Sequence, residues 1–395
     1  MSSFFKNIQK VLQENIREYG MFIALFVIMA IFTFLTKNNA FISSRNISNL
    51  VNQTGYIAVL AVGMTLVIVI RHIDLSVGFL AGFLGAVAAI ALVKGIPVYL
   101  VIPGVMALGI LAGLITAFPV AKLGIPAFVA SLAGWLIYRG LLQLVTAGTG
   151  TIIISDPAFN AIGNGFIPDI PDIGILPGIH KVTLLLGLIG IVLMIINEIN
   201  SRRNKQAYNF EVLSMDIFVL KLIFMSGLVA YITWTLAAYN GMSWTLAIVL
   251  LVVGIYDFIT SKTVLGRHIY AVGGNPDAAE LSGIDVKKIT MVVFGSMGML
   301  SALSGILFAS RLQSATTTAG TLFELDAIAA AYVGGVSAAG GVGKVTGSII
   351  GALVMMSLNS GMNLMGTDIS YQYIARGAVL VAAVIFDVMT RNRSK

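Results

Sequence analysis

Thr263 to Lys288 reads TVLGRHIYAVGGNPDAAELSGIDVKK, a polar island between two long apolar runs. Asn275 is a suitable N-cap, Pro276 suits the first helical position, Asp277 complements the positive end of the helix dipole, and Gly283 supplies a C-terminal stop. The helix so bounded, Pro276 to Ser282, is about 10 Å long at roughly 1.5 Å per residue. Isolated helices of that length are unstable in water. Either its own domain or a docked protein must hold it.

Outward from the island, the chain is 58% hydrophobic and 10% charged, with a mean hydropathy of +0.95. These values lie outside the soluble range and describe an all-α, polytopic membrane protein. Twelve apolar runs fall near 20–36, 55–70, 76–93, 97–121, 126–146, 181–197, 217–237, 243–260, 289–309, 325–339, 345–364 and 371–388. The runs 55–70 and 325–339 are shorter than the roughly 17 to 25 residues that cross a bilayer, and are expected to be broken or re-entrant. About ten to twelve spans are expected. Long unbroken runs exclude a β-barrel, whose strands alternate.

No cysteine is present, which removes disulfides, thiolate metal sites and thiol redox chemistry. The three histidines, His72, His180 and His268, are too scattered for metal-ligand spacing. Lys6, Lys10 and Arg17 precede a first apolar run that reads as a retained anchor. With both termini in the cytosol, most Lys and Arg face inward, including Arg71, Lys122, Arg202, Arg203, Lys205, Lys221, Lys344 and the 261–289 loop. The net charge of +7 then reflects inward loops and needs no nucleic acid. The same topology sends 147–180 outside, where Asp156, Asp169 and Asp172 accompany dense Gly and Pro, as a docking surface or a linker.

The run LGRHIYAVGGNPDAAELSGI resembles the cytosolic loop of permease subunits in sugar-importing ABC transporters of the ribose, galactose and xylose type. VGMTLVIVIRHIDLSVGFLAG, Val62 to Gly82, is similar to that family's segment ending in IDLSVG, though most members carry two glycines where this chain has Arg71 and His72. GTLFELDAIAAAYVGGVSAAGGVGKVTGSIIGAL, Gly320 to Leu353, resembles a second hallmark, and LNSGMNLMG, Leu358 to Gly366, follows it. The resemblance covers most of residues 45–146 and 243–388. The segment 181–237, with its RRNK hairpin, is similar in placement to an insertion of xylose-type and multiple-monosaccharide permeases.

The resemblance implies one permease domain over 1–395, paired with a second copy in a lipid bilayer. A cytosolic ATPase is expected to dock on Asn275, Pro276, Asp277, Ala278, Ala279, Glu280, Leu281, Ser282 and Gly283. An extracytoplasmic binding protein would deliver a monosaccharide, xylose foremost. The chain itself would be no enzyme and hold no cofactor. GGVGKV is not a phosphate-binding loop, because Ala338 stands at the first glycine position and Val345 follows Lys344.

Embedded polar groups need a reason, since each costs about 2.5 to 3.5 kcal/mol at a helix centre on insertion scales. Arg71, His72, Asp74, Ser76 and Gly78 form either a capped cytosolic turn or a gate between half-helices, with Asp74 capping a helix near Leu75 and pairing with Arg71. Glu324 and Asp326, two residues apart, lie on different sides of a helix and read as caps, as the rim of a sugar path or as a contact to a binding protein. Asn52, Gln53, Thr65, Gln143, Asn359 and Asn363, with Trp135 and Tyr138 as aromatic faces, are candidates to line that path, and polar amides in membrane helices are also common glue between helices. Arg139 and Arg376 read as snorkelling cations. An ion-coupled secondary transporter and a branched-chain amino acid permease are the rivals. The former usually places an ionisable group deep in the bundle, where here only Asp257 comes near.

Overall fold

The computed structural model describes residues 16–171, 174, 176–210 and 212–393, so Lys6, Lys10 and Asp172 lie outside the described residues. The protein is an all-α polytopic membrane protein. Among the described residues the helices are α1 Ile16–Leu35, α2 Ser44–Val69, α3 Val77–Val93, α4 Val98–Leu123, α5 Ala127–Thr146, α6 Pro157–Asn164, α7 Lys181–Ala207, α8 Met215–Ala237, α9 Trp244–Lys262, α10 Val264–Gly274, α11 Pro276–Leu281, α12 Val286–Leu312, α13 Phe323–Val333, α14 Val345–Leu364 and α15 Ile369–Arg393. Nine of them are long and apolar enough to cross a bilayer, and two shorter apolar helices, Gly20–Leu35 and Val77–Val93, accompany them.

The run 55–70 is not a short or broken span. It is the second half of α2, a 26-residue helix that starts at Ser44. Hydropathy missed its first half because Ser48, Asn52 and Thr54 are polar, yet all three are buried in protein. Thr54 bonds back to the Leu50 carbonyl at 2.7 Å, which leaves the helix unbroken. The run 325–339 is interrupted as expected: α13 has 11 residues, about 16 Å, and a non-helical stretch with left-handed Gly335, Gly340 and Gly341 follows it.

The chain falls into two compact units. In the larger one, holding Arg17–Phe41, Leu50–Gly165 and Trp244 onward, α12 packs against α4 and α3, and α14 against α13. Glycine makes the approach of α4 and α12 possible: a Cβ on Gly298 would overlap the Gly109 carbonyl oxygen, and one on Gly113 would overlap that of Phe294. Part of the 147–180 stretch is built onto the end of α12. Strand β1, Thr151–Ile153, pairs antiparallel with β2, Ser314–Thr316. Asp156 caps α6 through the Phe159 N–H at 2.9 Å, and Ser310 donates to the Phe159 carbonyl at 2.6 Å.

In the smaller unit, holding Ile42–Asn49 and Phe166–Ser243, α7 and α8 form an antiparallel hairpin. Lys221 meets both carboxylate oxygens of Glu198 at 2.9 and 2.8 Å, and the Arg202 guanidinium lies 4.8 Å from the centre of the Phe218 ring. His180 donates from Nε2 to the Ile167 carbonyl at 2.9 Å, so its Nδ1 accepts from the Thr183 N–H at 3.2 Å and caps α7. Asp169 accepts from the N–H groups of Lys181 and Val182 at 3.0 and 2.9 Å. Partial loss of hydration would raise the Asp169 carboxyl, but the N–H groups of Val182, Lys181 and Ile170, with His180 beside them, outweigh it and hold it below the ordinary value.

Two outcomes are expected. Gly298→Ala should lose about 1 to 3 kcal/mol through overpacking, whereas Gly104→Ala, with open space around it, should change stability by less than about 0.5 kcal/mol. Thermal unfolding in detergent reads both. Because the folded Asp169 pKa is depressed, its hold on α7 is present above the unfolded carboxylate pKa and is lost as pH falls through the lower folded value. Amide shifts of Lys181 and Val182 should titrate there, and Asp169→Asn should abolish that titration.

Candidate functional site

Helix α2 ends inside protein, and its last carbonyls need partners. Arg71 takes the left-handed conformation at φ +66°. Its N–H bonds to the Ile68 carbonyl at 2.8 Å, and the His72 N–H reaches the Val67 carbonyl at 3.0 Å, the paired bonds of a Schellman end. The Val69 carbonyl accepts from the Gly341 N–H at 2.8 Å. The Arg71 side chain reaches α10, with Nε bonded to the Gly273 carbonyl at 2.7 Å and a second nitrogen to that of Gly274.

Asp74 does not pair with Arg71, as the sequence suggested, nor does it cap α3. The left-handed turn commits the Arg71 side chain to α10, while buried Asp74 accepts from the Ser76 N–H at 2.9 Å and the Ser76 hydroxyl at 2.6 Å. The chain from His72 to Ser76 runs without helix into α3. Gly78, in the first turn of α3, touches Gly320 and the Glu324 carboxylate so closely that a Cβ would overlap both. The N-terminal turns of α3 and α13 therefore meet in the interior.

Polar contacts between helices surround that meeting. Trp135 donates to Glu324 at 3.1 Å. Arg376 donates to Asn359 at 2.6 Å and to Asp326 at 3.3 Å. Gln372 donates to Asn363 at 2.8 Å. Arg376 is thus a structural cation bridging α13, α14 and α15 and not a snorkelling one. Sequence reasoning took Arg376 for a snorkelling cation and missed Gln372. Their i, i+4 spacing on α15 was the available signal. Arg139 lies 5.3 Å from the Trp135 ring centre and 5.6 Å from that of Phe79. Tyr56 packs on Phe323 and Phe308 at 4.8 and 5.1 Å. Oδ1 of Asn52 and Oε2 of Glu324 are buried without a hydrogen-bond partner among the described residues.

Other candidates lie elsewhere. Thr65 donates to the Ala61 carbonyl at 2.7 Å and also meets the Ser348 hydroxyl, joining α2 to α14. Tyr138 is buried and donates to the Ala112 carbonyl at 3.3 Å. Gln143 is exposed on α5, and Gln53 is half-buried on α2. His72 lies 5.9 Å from the Phe294 ring.

The 263–288 island forms α10 and α11 in succession. Asn275 caps α11 by accepting the Ala278 N–H at 3.1 Å, Pro276 opens it, and Asp277 sits in its first turn. The helix ends at Leu281, one residue earlier than expected, with Ser282 as its C-cap. Gly283 takes φ +84°. Ala279 packs inward, Leu281 is 90% exposed, and Asp277, Ala278 and Glu280 are also exposed.

Interrupted helices whose ends meet inside a helical bundle are a recurring feature of membrane transport proteins. The chain belongs to the family described as branched-chain amino acid transport system / permease component, which matches residues 46–384. It is 39% identical to the xylose transport system permease protein XylH of Haemophilus influenzae, over 98% of this chain and 99% of that protein. The XylH of Escherichia coli K12 is 37% identical over 96% of this chain and 94% of its own length. The ribose import permease protein RbsC of H. influenzae is 36% identical over 94% and 93%. No solved structure matches the chain. The protein is a multi-pass transport subunit of the inner membrane.

Removing one member of the Asp326–Arg376 pair leaves the other charge buried and uncompensated. Arg376→Gln or Asp326→Asn should each cost about 3 to 5 kcal/mol. The double variant should recover part of that loss, seen as a coupling energy in a thermal-unfolding cycle.

Proposed function

We propose that this chain is the permease subunit of an ATP-driven importer of a monosaccharide, xylose foremost, and that it works as a pair of identical copies. The observation that carries the reading is near full-length similarity to proteins named xylose permeases, combined with a capped helix that presents an exposed leucine, Leu281, at its end. A helix of six residues has little stability of its own. Docked in a cleft of a cytosolic ATPase, it would move as a rigid knob.

In this reading both termini and the 261–289 loop are cytosolic, and 147–180 faces an extracytoplasmic sugar-binding protein. ATP is bound and hydrolysed on the separate ATPase, and this chain needs no cofactor. Arg71, His72, Asp74, Ser76 and Gly78 belong to the gate where α2 gives way to α3. Asn52, Trp135, Glu324, Asp326, Asn359 and Asn363 contribute the polar side of the path, with Gln53, Thr65 and Gln143 as further contacts. Buried oxygens of Asn52 and Glu324 without partners suit hydroxyl donors, which a sugar carries in number. No bond of the sugar changes. The 181–237 hairpin belongs to the membrane domain.

The test is uptake of labelled xylose by cells lacking other pentose importers and expressing this chain with its ATPase and binding protein. Ribose, galactose, arabinose and leucine serve as competitors. Gly283→Pro forces φ near −65° where the chain holds +84°, and Asp277→Arg inverts the charge at the helix start. Each should cut uptake at least ten-fold with expression intact. Uptake that persists without the ATPase would make the protein an ion-coupled transporter, and leucine as the winning competitor would make it an amino-acid permease.

A further inference from the structure

Arg71 occupies the left-handed position of the Schellman end of α2, at φ +66°, where glycine is favoured and a side chain is strained. The side chain that bears this cost grips the carbonyls of Gly273 and Gly274 with two different nitrogens. Those carbonyls are at the C-terminus of α10, its negative pole, and they have no partners within the helix. A single residue, Asn275, separates this point from α11. Around the grip the backbones are in contact. A Cβ on Gly273 would overlap the Val69 carbonyl, and one on Gly340 would overlap the Arg71 side chain itself. On the same α10, Tyr270 donates to the Gly343 carbonyl.

We infer that Arg71 is a positioning residue, the link through which displacement of α10 and α11 reaches the interior break between α2 and α3. The guanidinium holds two carbonyls in fixed geometry, so α10 cannot tilt without drawing the end of α2 with it. This rests on the reading of α11 as the point where an ATPase docks.

The experiment uses the full chain reconstituted with its ATPase and binding protein in proteoliposomes. As the chain has no cysteine, a single fluorophore can be placed at Ala271→Cys on α10 or at Ile73→Cys in the break. In the wild type both probes should respond to ATP. Arg71→Gly fits the φ +66° backbone without strain, so it removes the grip and leaves the turn. Expected for it are retained ATPase binding and hydrolysis, a responsive 271 probe, a silent 73 probe, and at least a ten-fold fall in xylose moved per ATP. Arg71→Lys, with one cationic centre in place of a fork, should fall between. Wild-type xylose per ATP in Arg71→Gly overturns the inference. So does a proportional loss of hydrolysis and uptake with both probes silent, which marks a merely structural residue. Failure of the wild-type chain to retain the ATPase would sink the docking reading, and this inference with it, and is seen before any variant is made.

Discussion

A polypeptide inside a bilayer must satisfy its own N–H and C=O groups, and the architecture follows from how this chain does so where its helices stop. The break after α2 is closed by a Schellman turn, by the Gly341 N–H on the Val69 carbonyl, and by Asp74 turning back onto Ser76. The break after α13 uses glycines at positive φ, including Gly335 and Gly340. Each is covered by the other, and α10 lies against both, with Tyr270 on one side and Gly273 on the other. A short connecting helix, an ordinary loop feature elsewhere, is here part of the hydrogen-bond supply of the interior.

The second condition is charge. Asp326 could not remain in the interior on its helix dipole alone, and Arg376 meets it from α15 while Asn359 occupies another guanidinium nitrogen. Three helices are thereby pinned by one side chain. Glu324 is treated differently: one of its oxygens accepts from the Trp135 N–H, and the other lies against Gly78. Of the two acids that open α13, one is committed to structure and one retains unused hydrogen-bonding capacity. In the proposed reading that asymmetry suits a translocation path, because a fully satisfied network would have nothing to offer a passing solute.

Much of this was legible in the residues. The apolar runs located the helices, and the cap residues Asn275, Pro276 and Gly283 placed α11 to within one residue. The failures share a cause. Hydropathy averages over a window, so it cut α2 short where buried polar residues such as Asn52 face protein. Pairing by sequence proximity joined Arg71 to Asp74, yet the backbone conformation at Arg71 directs the side chain to a helix two hundred residues away. Arg376 looked like a surface cation because its partners, Asp326 and Asn359, lie in other helices. Local chemistry is written in local sequence, whereas a buried ion pair between distant helices is a property of the packing.

One consequence concerns where stiffness lies. Helix α11 is too short to transmit force on its own, but α10 behind it is bonded to two interior breaks, and breaks are the places where a helical bundle bends most easily. With an ATPase docked at α11 as proposed, force would reach these breaks without passing through the close-packed glycine contacts of α4 and α12, which would resist it. The bundle can thus stay rigid where α12 fills its core and yield where Arg71 and Gly341 hold the ends together. A transporter must alternate between shapes while its lipid-facing surface remains intact, and this division of rigid and yielding parts meets both demands.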